Sequence, residues 1–408
     1  MADRRTFRRQ ADRDPAGRRW HPSMLVVAAL AAMLAIAGCS PLRSVEAGLV
    51  LGDIAAGPAP SLYKNLTTEP TRSAVSYTVD GRAHNGDFYR PADDADAALV
   101  LVPGVAAAGK DDPRLVAFAR TLARAGFVVL VPDIPRLRAL KVDSADIRDI
   151  GDAVRHLADI IGSADNAPAV GLVAVSYAVG PSVIAVLGHD VRDRVRFVLA
   201  IGGYYDMKAV ITYVTTGAFR TGPQQPWRHG RPNDYGKWVF LRSNADRVTD
   251  ASDRALLAAI ASRKLEAPAA DVSELVDRLG PEGQDVYALL VNRDPDRTPG
   301  LIAALPSPIR REIDALDPSG HDLAGLRARL ILVHGRDDAV IPYTQSEALA
   351  GAAPPGHAAL YLVDSLAHVD LRPGDFGDVV TLLQAIYDVL DERDEMPVPQ
   401  GPRLPSHP

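Results

Sequence analysis

The sequence predicts an α/β protein: a mostly parallel β-sheet covered by helices on both faces, interrupted by one helical insertion. Three observations carry this expectation. Short apolar runs rich in Val, Leu and Ile recur at residues 98–102, 127–131, 170–175, 195–201, 329–335 and 358–363, as expected of strands buried on both faces. Between most of them lie stretches with apolar residues at helical spacing, the alternation that builds a parallel sheet. From 205 to 326 the alternation stops and only helical periodicity remains.

The elements follow in chain order. Residues 1–38 read as a leader to be removed before folding. Arg4, Arg5, Arg8, Arg9, Arg13, Arg18 and Arg19 make it basic, and the apolar run 24–37 is short for a membrane span. The run ends Leu34-Ala-Ile-Ala-Gly-Cys39, which resembles a bacterial lipobox. That resemblance implies that Cys39 is acylated and becomes the new N-terminus, held to the membrane by several chains where one would bind only marginally. Cys39 is the single cysteine of the chain and so has no disulfide partner. Ser40 in the next position is similar to the pattern of outer-membrane sorting. The expected location is the bacterial cell envelope, lipid-anchored at the outer membrane or the periplasmic face.

Residues 39–72, with Gly57-Pro-Ala-Pro60, are expected to be a linker lifting the folded part off the membrane. Segments 73–79 and 82–90 flank Asp80-Gly81, a strong hairpin signal. The strand at 98–102 precedes a helix marked by Leu115, Phe118, Ala119 and Leu122, and the strand at 127–131 precedes one marked by Ile147, Ile150, Val154, Leu157 and Ile161. The core is thus assigned to 73–204 and 327–392, with 205–326 a helical cap between them. The cap carries Trp227 and Trp238 with Tyr213, Phe219, Tyr235 and Phe240. These aromatics serve either as a wall for an acyl or aromatic group or as the core a small helical subdomain needs; the second is the main expectation. Asp375 is placed as the cap of a last helix, and 393–408 as a proline-rich, disordered tail.

The chemistry centres on Ser176. A serine between the run 170–175 and a helical stretch to Leu187 projects its hydroxyl above the sheet, and amides at the helix start can face a developing oxyanion. Strand and helix pack closely there, so the residues two before and two after must be small; they are Ala174 and Ala178. Two later strands end in chemically useful residues. Gly335-Arg-Asp-Asp-Ala-Val-Ile-Pro342 follows one, and Ser365-Leu-Ala-His368-Val-Asp370 follows the other.

Serine, then aspartate, then histidine, each just past the C-terminal end of a strand, resembles the α/β-hydrolase superfamily in its dienelactone-hydrolase-like and esterase branches. The resemblance spans 73–390 and implies an eight-stranded sheet. It further implies Ser176 as nucleophile and His368 as base. His84, His156, His189, His229, His321, His334 and His357 lack the setting of a loop between last strand and last helix. The acid is Asp338 or Asp337, and the alignment two before Val340 favours Asp338. Its task is to fix the imidazole tautomer and stabilise the imidazolium. The oxyanion amides would be those of Tyr177 and Val105, the latter in Pro103-Gly104-Val105, where the family commonly has His-Gly-x. Pro103 and the alanine pair around Ser176 depart from the family pattern.

The expected function is therefore a membrane-anchored serine hydrolase, a carboxylesterase working through an acyl-serine intermediate on a small-molecule ester or related acyl substrate. The alternatives are an acyltransferase or perhydrolase on the same fold, or a non-catalytic binding lipoprotein. No cofactor and no metal is expected, because His334 with Asp337 and Asp338 occupies one strand end without further clustered ligands. The net charge of −6 includes the basic leader, so the remainder is more acidic still and a poor match for nucleic acid. Replacing Cys39 by Ala should move the protein from the membrane fraction to the soluble one; unchanged fractionation refutes the lipid anchor.

Overall fold

The structure, a computed structural model, describes residues 40–162, 170–368, 370–371 and 375–396. The leader 1–38, Cys39 and residues 397–408 of the expected tail lie outside these.

Among the described residues, ten strands and strand fragments precede the last hairpin: β1 (Thr71–Val79), β2 (Arg82–Arg90), β3 (Ala97–Val102), β4 (Phe127–Asp133), β5 (Val170–Val175), β6 (Val195–Ile201), the short β7 (Ala218–Phe219) and β8 (Arg228–His229), β9 (Arg329–Gly335) and β10 (Ala358–Val363). Eight of them form one sheet in the order β1-β2-β4-β3-β5-β6-β9-β10. The first hairpin is antiparallel and β2 runs antiparallel to β4; every other pairing is parallel. This is the α/β-hydrolase architecture. All six residues of β3 are buried, which explains why the central strands read as continuous apolar runs rather than alternating ones.

Register decides where chemistry can occur. Val102 pairs with Ala174, Val175 with Ile201, Ile201 with Val333, and Gly335 with Val363. The C-terminal ends of β3, β5, β6, β9 and β10 therefore lie along one rim, the place where open α/β sheets bind ligands.

Two helical layers cover the sheet. Helix Ala145–Ile161 buries Ile150, Val154, Leu157 and Ile161 against one face, beside helix Val179–Leu187. Helix Pro113–Arg124, capped by Asp112, and helix Phe376–Asp394, capped by Asp375, cover the other. Between β6 and β9 the chain leaves the sheet and builds the cap from helices Met207–Thr216 to Ser307–Ala315, with β7 and β8 as a small hairpin. Leu241, Leu257, Ile260, Leu289, Leu305 and Ile309 form a separate core within it. Trp238 belongs to that core, and Trp227 donates to Asp296 inside the cap at 3.0 Å.

Two expectations need correction. The segment 39–72 is not a free linker: Pro41–Ala56 is a helix that buries Ser44, Ala47, Val50 and Asp53, and Leu62–Leu66 is a second, short one. Gly57, at φ 55°, ends the first helix, so the Gly-Pro punctuation marks a helix stop. The folded part also runs further than 392. Helix Phe376–Asp394 includes Arg393, whose guanidinium bonds Glu46 at 2.9 Å and the Ala125 carbonyl at 2.8 Å. That one side chain ties the N-terminal helix, the C-terminal helix and the end of helix Pro113–Arg124 together.

A second tie is Asp53, fully buried. Its carboxylate accepts from Lys64 at 2.6 Å and Thr121 at 2.6 Å, and from the Ser61 hydroxyl. Removing one partner of a buried pair strands the other, so Asp53→Ala should lower the unfolding free energy by about 3 kcal/mol. Urea denaturation measures this; a change near zero means that the N-terminal helix does not depend on the contact.

Candidate active site

Ser176 stands at the end of β5, where a single 3-10 turn, Ser176–Ala178, leads into helix Val179–Leu187. Its φ is +58°, a left-handed conformation unusual for a residue with a Cβ. Ala174 and Ala178 are fully buried, leaving no room for larger side chains in the tight crossing. The strain points the hydroxyl off the rim. The 3-10 turn begins at Ser176 itself, so the amide of Tyr177 sits in the first turn, where no carbonyl precedes it in the helix.

His368 reaches the same point from the hairpin that follows the edge strand β10. The fragments β11 (Leu366–Ala367) and β12 (Asp370–Leu371) pair antiparallel, with Ala367 opposite Asp370, so His368 lies in the hairpin turn. Its φ of +57° is the positive value that two-residue hairpin turns require. The ring bridges two partners: Nε2 is 2.7 Å from Ser176 Oγ, and Nδ1 is 2.8 Å from Asp338 Oδ2. With an ionised aspartate accepting, Nδ1 carries the proton and Nε2 is left to accept from the serine hydroxyl.

Asp338 is the aspartate that meets His368; Asp337 beside it is exposed. The Asp338 side chain is fully buried and none of its lone pairs is wasted. Oδ1 accepts the amides of Val340 at 2.7 Å and Ile341 at 2.9 Å, and Oδ2 accepts His368 and approaches His334 Nε2 at 3.3 Å. Burial pushes this carboxyl up, yet the hydrogen bonds and charge of His334 and His368 outweigh it and hold it well below the usual carboxylate range.

Two supporting residues escape a reading of the sequence. His334 is fully buried, bonded through Nδ1 to Ser346 Oγ at 2.7 Å and through Nε2 to the Ile341 carbonyl at 2.9 Å. Both ring nitrogens are engaged, which leaves no lone pair for a metal; the ring instead braces the loop 335–341. Its place four residues before Asp338, at the end of a buried strand, is the signal that could have marked it. Gly202 is the other. At φ +61° it follows β6, and a Cβ there would lie 3.2 Å from the His368 carbonyl and 3.5 Å from Asp338 Oδ2. A side chain at 202 would crowd the bond between imidazole and carboxylate.

The loop after β3 completes the rim. A Cβ on Gly104 would sit 3.3 Å from the Cβ of Ser176 and 3.2 Å from the Val175 carbonyl. The backbone at 104–105 thus passes directly beside the serine, which places Val105 next to the reacting centre. Tyr177 is held by its side chain: the buried phenol donates to Asp146 Oδ2 at 3.1 Å and accepts from the Asp143 amide at 3.2 Å. The cap is bonded to both sides of the site. Tyr235 donates to the Val105 carbonyl at 3.3 Å, Tyr213 donates to the Asp338 carbonyl at 3.1 Å, and the Asn233 amide donates to the Ala339 carbonyl at 2.6 Å. Tyr235 and Phe240 line the cavity above Ser176, so two of the cap aromatics form a wall while Trp227 and Trp238 serve the cap itself.

With the hydroxyl, imidazole and carboxylate aligned, the arrangement can deprotonate a serine attacking an electrophilic carbon, and can return the proton to a leaving group. Tyr177 directly follows the serine, and the backbone of Gly104 passes beside it.

No family model matches the chain, and no curated protein does. Solved structures similar to it include a Pyrococcus horikoshii acylaminoacyl peptidase, 11% identical with a TM-score of 0.46, where the match covers 81% of this chain and 43% of the peptidase. The chain therefore spans less than half of that protein's length. A hyperthermophilic esterase from Pyrobaculum calidifontis is 15% identical over 88% of this chain and 93% of its own, with a TM-score of 0.44. A dienelactone hydrolase from Anabaena variabilis is 14% identical over 79% and 98%, with a TM-score of 0.40.

The tether under Tyr177 has its own pH signature. Burial pushes the Asp146 carboxyl up to about 6, against the pull of Arg136. The folded chain then binds more protons at this site than the unfolded one between about pH 4 and 6. Its contribution to stability is full below that window and lost as pH rises through it. Relative to Asp146→Asn, the wild-type chain should lose roughly 2 kcal/mol between pH 4 and pH 7. Urea unfolding of both at several pH values measures the difference, and a difference that does not vary with pH rejects the assignment.

Proposed function

We propose that the chain is a serine hydrolase acting on carboxylic esters through an acyl-serine intermediate. One observation carries the reading: the unbroken hydrogen-bond relay from Asp338 through His368 to Ser176 at the rim of the sheet. In this reaction Ser176 Oγ attacks the ester carbonyl carbon while His368 Nε2 takes the hydroxyl proton. The carbonyl π electrons move onto oxygen, facing the Val105 and Tyr177 amides. Losing one such donor typically costs about 2.7–4 kcal/mol of transition-state stabilisation. Collapse of the tetrahedral intermediate breaks the bond to the alcohol oxygen, which leaves with the proton from Nε2. Water then repeats the sequence on the acyl-serine, giving the carboxylic acid and the free serine. Asp338 stays ionised throughout, stabilising the imidazolium that forms twice per turnover.

The membrane-anchored placement belongs to the same proposal. It rests on the leader and Cys39, and is supported by the surface that follows them. Leu42 and Val45 on one helix, and Leu62 and Leu66 on the next, are exposed large apolar side chains, three and four residues apart and so on shared helix faces. Among the described residues, no helix is long and apolar enough to cross a membrane.

Labelling with a fluorophosphonate probe tests the chemistry. The wild-type chain should label at one site, Ser176→Ala should not label, and His368→Ala should label far more slowly. Either substitution should lower kcat on p-nitrophenyl esters by roughly 10⁴-fold or more. A folded wild-type chain that neither labels nor cleaves any ester overturns the reading.

A further inference from the structure

The cavity at Ser176 does not stop beneath the cap. It has a volume of about 1120 Å³ and continues past the rim onto the sheet face covered by helices Pro41–Ala56, Pro113–Arg124 and Phe376–Asp394. Along this arm Val175, Ile201 and Val333 form the sheet side, and Ile54, Phe118 and Ile386 face them from the three helices.

Burial along the strands points to the same space. Val175 and Ile201 end two central strands, under three packed helices, yet both are only partly buried, as are Leu51, Ile54, Phe118, Leu382 and Ile386 opposite them. Upstream in the same strands, Val173 and Phe197 are fully buried. Apolar side chains so deep in the layer order remain accessible only where protein atoms leave a gap. Protein interiors rarely leave one this large without a use for it.

The deep part of the arm offers nothing polar to a ligand. Its polar residues are Asp53 and Thr121, bonded to each other at 2.6 Å and, through Asp53, to Lys64. The innermost wall is Ala125, Phe127 and Leu390, each at most 1% exposed. An occupant of this deep part must therefore be apolar, and it joins at the rim the part of the cavity that Ser176 and His368 line.

We propose that this arm holds the acyl chain of the substrate, and that the substrates are esters of long-chain aliphatic acids. The proposal rests on the reading of Ser176 as nucleophile and adds the substrate class. The order of bond breaking assigns the arm to the acid rather than the alcohol. The alcohol has to leave and water has to enter while the acyl group is still bonded to Ser176 Oγ. The apolar arm that leads away from the rim suits the part that stays. A short acyl group would leave the arm empty, whereas each methylene moved from water into it adds binding that is realised on the way to the acyl-serine.

The test uses the full-length chain and p-nitrophenyl esters from acetate to palmitate. The value of kcat/KM should rise by up to about fourfold per added methylene until the arm is filled, with the best substrate at octanoate or longer. Ile386→Trp and Ala385→Trp, placed to obstruct the arm, should each lower the ratio of dodecanoate to butyrate turnover at least tenfold. A binding measurement that needs no catalysis accompanies them. Ser176→Ala should bind cis-parinaric acid with a rise in its fluorescence, palmitate should displace it, and Ile386→Trp in the same background should weaken it. If Ser176 labels with fluorophosphonate but acetate or butyrate is the best ester and parinarate does not bind, the long-chain assignment is wrong and the hydrolase reading stands. If no ester is cleaved and Ser176 does not label, the hydrolase reading fails, and this substrate assignment with it, even where parinarate binds.

Discussion

Parallel register is the constraint on which the rest of this molecule depends. Ser176 and His368 are 192 residues apart in sequence, and His368 and Asp338 are 30 apart, yet their atoms meet within 2.8 Å. They meet because β5, β9 and β10 run the same way and are paired so that their C-terminal ends finish level. Slip any of those strands by two residues and one member of the relay moves about 7 Å away along the strand axis. The buried apolar faces of the strands prevent that slip, since each strand is held against two cores at once.

The relay is supported by unusual backbone as much as by side chains. Among the described residues, two of the four non-glycine residues with positive φ are Ser176 and His368. Each such conformation costs of order 1–3 kcal/mol, and the surroundings hold both in place. Helix Val179–Leu187 packs behind Ser176 with Ala178 fully buried, while the hairpin pairing of Leu366 with Leu371 closes the turn that carries His368. Asp338 is anchored by two amides of its own loop and braced by His334. A buried carboxylate satisfied in this way can stay charged and still be rigid, the condition for holding an imidazole in one tautomer.

The cap and the N-terminal helix act on the same centre from opposite directions. The cap bonds to the loops bearing Val105 and Asp338, so its position is coupled to the donors and to the acid. The N-terminal helix closes the sheet face below, fastened by Asp53 to helix Pro113–Arg124 and by Glu46 to Arg393. Leu51 and Ile54 of that helix line the space leading down from Ser176, so without it that space would open into solvent. A segment that carries the chain away from its expected anchor is in this way part of the wall beside the reacting serine.

Much of this was legible in the residues alone. The bounds of β5, β6, β9 and β10 follow from apolar runs with turn residues at their ends, and those of β2 from the Asp80-Gly81 turn before it. Ser176 was legible from its place between a strand and a helix, whereas Asp338 and His368 were picked out by the resemblance in the order of the three residues after strand ends. Helix Pro41–Ala56 was not legible as part of the body, since its apolar stripe is weak and what it covers is supplied by strands and a helix distant in sequence. His334 read as a strand end and Gly202 as an ordinary glycine. Their importance lies in which atoms come within 3.5 Å of them, and that is settled by packing across the sheet. Periodicity therefore determined the strands, and the resemblance in residue order picked out Ser176, Asp338 and His368; the tertiary structure decided what braces those groups and how much empty apolar space lies beside them, because both are products of contacts between segments that carry no local trace of one another.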